Sequence, residues 1–161
     1  MTGGTLPSIL LIGALGLVLG FAQSRIWPWA IVAACAGAAT PWLVTPPAGW
    51  THIAYVGCWA SLAITAAAVH RASFLGTPLL AALAFNVGVW ASAPMVVAGS
   101  PAGYMISGPF LIVALPSKWL VRHSAAIGVK VAASWLIAIA VLVMALPFLP
   151  VTPGYLPDHL E

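Results

Sequence analysis

Charged side chains are nearly absent from this chain. Only 4% of its 161 residues are Asp, Glu, Lys or Arg, whereas an ordinary soluble domain carries about 25%. Hydrophobic residues account for 63%, and the mean hydropathy is +1.10. This composition excludes an ordinary soluble enzyme and is typical of an integral membrane protein.

Acidic residues are the scarcest charged group. The sequence has two, Asp158 and Glu161, and both lie near its end, outside every long apolar run. Carriers driven by protons or sodium ions hold a carboxylate within the membrane, so such a carrier is not expected. The sequence also lacks a glycine-rich phosphate loop, a helical two-histidine metal motif and a Gly-x-Ser-x-Gly nucleophile turn. No catalytic residue is predicted, so a non-catalytic role is favoured over an enzyme and the enzyme alternative stays open.

Cysteine is also rare. Cys35 and Cys58 fall in the second and third apolar runs. Their depths in the membrane should differ by roughly 9 Å, since an α-helix rises 1.5 Å per residue. That separation exceeds the reach of a disulfide, so both are predicted to be buried apolar thiols and not a redox pair.

Long apolar runs fill the rest of the chain, separated by short breaks rich in proline and glycine. About 20 apolar residues in a helix cross a bilayer, so the sequence predicts an all-α polytopic bundle that forms one membrane domain over residues 1–161. The predicted spans are 6–22, 27–44, 52–70, 78–97, 102–120 and 130–149, followed by a tail over 150–161.

Two of these runs have a second interpretation. Gly20-Phe21-Ala22 resembles a signal-peptide cleavage site, but no Lys or Arg precedes the run, so the first span is expected to be retained.

In the fifth run only the 12 residues from Tyr104 to Leu115 are largely apolar, and they include Pro109. That segment is either a kinked span or a re-entrant loop, which would leave five full spans.

The basic residues select between these two topologies. With six spans, all five fall on one side of the membrane: Arg25, Arg71, Lys118, Arg122 and Lys130. A re-entrant fifth segment would place Lys118 and its neighbours opposite the first two. Because cationic loops are retained in the cytoplasm, six spans are favoured, with these residues as cytoplasmic topology anchors and with both termini and the tail outside the cytoplasm. The expected location is the cytoplasmic (inner) membrane, as a multi-pass protein.

The same cations bear on the expected partners. They are spread over short loops and form no patch that could neutralise several phosphates, so nucleic acid is not expected to bind. The bilayer is the expected environment, with a membrane-protein partner or further copies of the chain as neighbours.

Small residues recur four positions apart in five of the predicted spans. In lipid, helices associate through close backbone approach at such residues, so these stripes predict helix contacts. The stripes are Gly16 with Gly20, Ala33 with Gly37, Gly57 with Ser61 and Thr65, Ala84 with Gly88 and Ser92, and Ser134 with Ala138.

Few polar side chains fall where they could form a site. Asn86 lies near the middle of the fourth span, and its amide needs a partner, since no water is available there. It is either an interhelical hydrogen bond or, with Trp90 and Ser92, part of a pore or substrate site. His70 and His123 both fall at the cytoplasmic edge, where they are candidate haem ligands. No metal site is predicted, and no cofactor beyond that haem alternative.

Three functions remain open from sequence. The favoured one is a non-catalytic membrane subunit or accessory protein of a larger assembly, since it accounts for the small-residue stripes and the short loops. The alternatives are a channel or facilitator for a small neutral solute, lined by Asn86 and hydroxyl groups, and a membrane protein that handles haem, quinone or lipid.

Overall fold

The computed structural model describes residues 5–44, 47, 49–72, 75–99 and 108–148. In these ranges the chain is all-α, and its six α-helices are α1 Leu6–Phe21, α2 Trp27–Val44, α3 Thr51–His70, α4 Thr77–Val97, α5 Ala114–Arg122 and α6 Ala126–Ala145. Short 3₁₀ helices occupy Ser24–Ile26, Gly108–Val113 and Leu146–Phe148. The predicted tail and the first residues of the predicted fifth span lie outside the described ranges.

Four helical segments are long and apolar enough to cross a membrane. They are Ser24–Val44, Thr51–His70, Thr77–Val97 and Ala126–Phe148. The prediction of an all-α membrane protein is therefore confirmed at this level. α1 is apolar too, but its 16 residues are about 24 Å long at 1.5 Å per residue, short of a hydrocarbon core of about 30 Å.

α1 lies at the centre of the bundle. Its side chains are buried around much of its circumference, including Leu11, Leu15, Val18 and Leu19. α3, α4, α5 and the 3₁₀ helix before α5 all pack against it, whereas α2 packs mainly on α4, and α6 mainly on α3. A helix that is apolar on all sides is typically buried in this way.

Two contacts fix the direction of α4 relative to its neighbours. Ser8 Oγ, near the start of α1, donates a 2.7 Å hydrogen bond to the carbonyl of Ala91, near the end of α4. Trp90, one residue earlier, lies against Gly57 in the first half of α3. Since residues early in α1 and α3 meet residues late in α4, both helices run antiparallel to α4.

The fifth segment runs along α1 in the same direction, since Gly16 of α1 faces Ala114 and Gly20 faces Ser117. Ser117 Oγ donates a 3.2 Å hydrogen bond to the carbonyl of Leu17, and Lys118 is hydrogen-bonded to Ser24, just beyond the end of α1. The chain therefore leaves α5 at the end of the bundle where α1 finishes.

The described part of this segment is not one continuous α-helix. A kinked span or a re-entrant segment was expected over 102–120, and residues 108–122 form a 3₁₀ helix followed by the nine residues of α5. Pro116 is the physical reason, because proline cannot donate the backbone bond that an α-helix would require to residue 112. Pro116 is tolerated in the first turn of α5, where no such bond is needed.

The predicted stripes form helix contacts at most positions. A methyl group on Gly20 would overlap Ser117, and one on Gly16 would come within 3.1 Å of the Ala114 backbone. Between α2 and α4, Gly37 meets the Phe85 carbonyl. These glycines let the backbones come close enough for efficient packing in lipid.

The stripe in α6 is the exception. Ser134 and Ala138 are exposed, and α6 instead buries Val129, Ala133 and Ala140. These three share the face that the bundle covers, because positions four and seven residues apart lie together on a helix. The sequence identified a stripe of small residues but selected the wrong face.

Replacing Gly88 by alanine should separate α2 from α4. The new methyl group would overlap the Ala34 carbonyl, and overpacking of this kind costs about 1–3 kcal/mol of unfolding free energy. Gly128→Ala in α6 is the matched control, since nothing lies within 4 Å of the added methyl group. Thermal unfolding in detergent should show a lower Tm for Gly88→Ala and an unchanged or higher Tm for Gly128→Ala. Equal Tm values would contradict the close approach of α2 and α4.

Candidate functional site

Asn86 joins α4 to α3. Its amide Nδ2 donates a 2.6 Å hydrogen bond to Ser61 Oγ, and the side chain is half-buried between the two helices. The amide nitrogen thus has the partner that an apolar environment requires. The sequence predicted two alternative roles for Asn86, and this contact corresponds to the first, an interhelical hydrogen bond.

Trp90 and Ser92 do not join Asn86 in one polar surface. Trp90 follows Asn86 by one turn and packs over Gly57, so both side chains contact α3. Ser92 is fully buried two residues further on, which is on a different side of the helix, and its hydroxyl donates a 3.0 Å bond to the Val89 carbonyl. Of the three predicted site residues, the structure brings two together.

Thr65 is a buried polar residue for which the sequence gave only a packing role. Its side chain is fully buried in α3, and its hydroxyl has no hydrogen-bond partner among the described residues. Sequence reasoning placed it in a small-residue stripe, and no feature of the pattern distinguishes a bonded threonine from an unbonded one.

The two histidines have separate neighbours. His70 Nε2 lies 3.3 Å from Ser134 Oγ of α6. His123 Nδ1 lies 2.8 Å from the Trp119 carbonyl, and its ring centroid is 4.5 Å from that of Trp119. The described part of the chain contains no group of three or more His, Cys, Asp and Glu residues that could hold a metal ion.

The basic residues are gathered at one end of the bundle. The helix directions place the end of α1, the end of α3 and the link from α5 to α6 at this end, together with Arg25, Arg71, Lys118, Arg122 and Lys130. We call it the cationic end.

Trp27 organises part of the cationic end. Its indole nitrogen donates a 3.0 Å hydrogen bond to the Leu19 carbonyl, which ties α2 to the last turn of α1. Lys118 Nζ lies 4.8 Å from the centre of the Trp27 ring, within the range of a cation–π contact. The ammonium group is thereby held beside the start of α2.

At the opposite end, α2, α3 and α4 border a half-open cavity of about 260 Å³. Its walls are almost wholly apolar and include Trp50, Trp90 and Val97. Thr40 also lines this space, but its hydroxyl donates a 2.6 Å bond to the Gly37 carbonyl of its own helix. Such walls suit an apolar occupant better than a polar solute.

The cysteines are both free thiols, as the sequence predicted. Cys58 is buried beside Ser8. Cys35 is exposed, so the prediction that both thiols are buried is wrong for this residue. α2 contacts little of the bundle besides α4, and Cys35 lies off that contact face.

Comparison with known protein families, with curated proteins and with solved structures finds no match to this chain.

The Asn86–Ser61 hydrogen bond can be measured by a double-mutant cycle. Asn86→Ala and Ser61→Ala should each lower the unfolding free energy, and the coupling energy between them should be about 0.6 kcal/mol, the average for such bonds in membranes. Pairing Asn86→Ala with Ser92→Ala is the control and should give no coupling, because Ser92 bonds within its own helix. A coupling of zero for the first pair would show that the bond does not stabilise the fold.

Proposed function

We propose that this chain is a non-catalytic, multi-pass protein of the inner membrane that serves as a subunit or accessory protein of a larger membrane assembly. The observation that carries the proposal is that polar side chains within the helices form hydrogen bonds to other helices. Ser8, Asn86 and Ser117 each donate a hydrogen bond to another helix, so their polar groups hold the bundle together. This use supports a structural role over a solute pathway.

The outward faces of the bundle support the same proposal. α2 and α6 are the most exposed of the long helices, and their outer side chains are large and apolar. The most exposed are Leu43, Val44 and Trp29 on α2, and Ile127, Trp135 and Leu142 on α6. Lipid can cover such faces, and so can the helices of a partner protein. A partner helix that packs there displaces no charged group.

The proposed topology has six crossings. α4 ends where α1 begins, as the Ser8–Ala91 bond indicates, whereas α5 ends beyond the finish of α1, as the Lys118–Ser24 bond indicates. A re-entrant segment would return to the end where it started. The 3₁₀ helix and α5 together are about 25 Å long, which supports a crossing in which flanking residues make up the remainder.

The proposed orientation places the cationic end in the cytoplasm, in line with the retention of basic loops on that side. Both termini then lie outside the cytoplasm. Reporter tags fused to the two ends of the full chain should respond as if in the same, non-cytoplasmic compartment. A tag inserted next to Arg71 should report the cytoplasm. Opposite locations for the two end tags would exclude six crossings.

Extraction in mild detergent followed by native mass measurement tests the subunit proposal. A complex with another membrane protein is expected, with a mass that is not a multiple of the 16.5 kDa chain. Asn86→Leu should leave that complex and the expression level nearly unchanged, since Asn86 bonds within the chain. A homo-oligomer that conducts a neutral solute in liposomes, and loses conduction in Asn86→Leu, would instead support the facilitator.

A further inference from the structure

A groove runs along one side of the bundle. α2 packs on α4 and the fifth segment packs on α1, so a space remains between α2 and the fifth segment. Two cavities of about 140 and 370 Å³ occupy it and share the side chains or backbone of Ile31, Gly108 and Leu111. We call this continuous space the lateral groove. Its other lining residues include Ile12, Leu19 and Ala38.

The lateral groove is apolar and about one leaflet deep. Nearly all its lining surface is hydrocarbon. Along α2 it extends from Trp27 at the cationic end to Ala38. Eleven residues of α-helix rise about 16 Å, and half of a hydrocarbon core of about 30 Å is about 15 Å. Its length therefore fits one acyl chain of the leaflet that faces the cationic end.

A cationic pocket adjoins the mouth of this groove. A space of about 390 Å³ is lined by Gln23, Ser24, Lys118 and Arg122. The contact between Lys118 Nζ and the Trp27 ring connects the two, since Trp27 lines the lateral groove. The two acidic residues of the chain, Asp158 and Glu161, are distant in sequence and none lies in the described ranges, so no described carboxylate neutralises this pocket.

We propose that the lateral groove and the cationic pocket together bind one anionic phospholipid, with an acyl chain in the groove and the phosphate between Lys118 and Arg122. The apolar and cationic parts are arranged in the order in which a phospholipid presents its tail and its headgroup. A free anion would use only the pocket, and a neutral lipid only the groove. The combination selects a ligand that carries both features.

The affinity of the full chain for defined lipids tests this assignment. Purified protein in a neutral detergent is titrated with dioleoyl phosphatidylglycerol, with dioleoyl phosphatidylcholine and with glycerol 3-phosphate, and bound species are counted by native mass spectrometry. Phosphatidylglycerol should bind at least tenfold more tightly than phosphatidylcholine, and glycerol 3-phosphate should show no saturable binding. Equal affinity for the two lipids, or saturable binding of the headgroup alone, would overturn the proposal.

Arg122→Gln tests the headgroup contact. One basic residue near the membrane surface changes the affinity for an anionic lipid by about fivefold, so phosphatidylglycerol should lose about that factor while phosphatidylcholine does not change. Lys130→Gln is the control, because Lys130 is an exposed cation near the same end that does not line the pocket. An equal loss in both variants would indicate general surface charge and overturn the site.

Gly108→Leu tests the tail contact. A side chain at Gly108 would meet no described atom within 4 Å at the junction of the two cavities, and its backbone does not adopt a positive φ angle. The variant should fold, and its affinity for phosphatidylglycerol should fall about tenfold. Gly128→Leu makes the same change at an open, exposed position on α6 and should bind like the native chain. If Gly108→Leu and Gly128→Leu have the same Tm and bind phosphatidylglycerol equally well, the groove is excluded as the tail site.

Discussion

Close approach of helix backbones is the constraint on which the rest of this structure depends. In lipid, burying a leucine between helices gains little over leaving it among acyl chains, so stability has to come from packing and hydrogen bonds. Gly37 and Gly88 allow α2 to lie directly on α4, and Gly20 allows α5 to lie directly on α1. The serine hydroxyls at these interfaces then reach carbonyls of the neighbouring helix, as Ser117 does with Leu17.

This packing explains how an irregular fifth segment is tolerated. Backbone groups in the hydrocarbon layer must be bonded within the protein, and a 3₁₀ helix satisfies most of its own groups while it rises faster than an α-helix. The faster rise lets a segment interrupted by Pro116 cover more depth with few residues. Its contact with Gly16 of α1 then holds the 3₁₀ helix in place.

The sequence predicted the helices more fully than their contacts. The predicted range 27–44 coincides with α2, whereas α6 begins at Ala126, four residues before the predicted start. The predicted range starts at Lys130, but a lysine one turn inside a helix can extend its ammonium group to the interface. Which face of a helix packs was harder to predict, because in an alanine-rich helix several faces carry small residues. Ser134 and Cys35 show this, since only the positions of neighbouring helices determine that both are exposed.

The lateral groove follows from the same contacts. α2 has its partner in α4 and the fifth segment has its partner in α1, so neither gains from closing the gap between them. Lipid can fill a gap left in an apolar wall, since acyl chains are as apolar as the side chains that line it. At the cationic end, Lys118 and Arg122 favour a lipid whose headgroup is anionic. A partner helix on the outer face of α6 would leave the groove open to the bilayer, whereas one on α2 beside Ile31 would compete with the lipid. In the proposed assembly, a partner on α6 would therefore leave the proposed lipid site open.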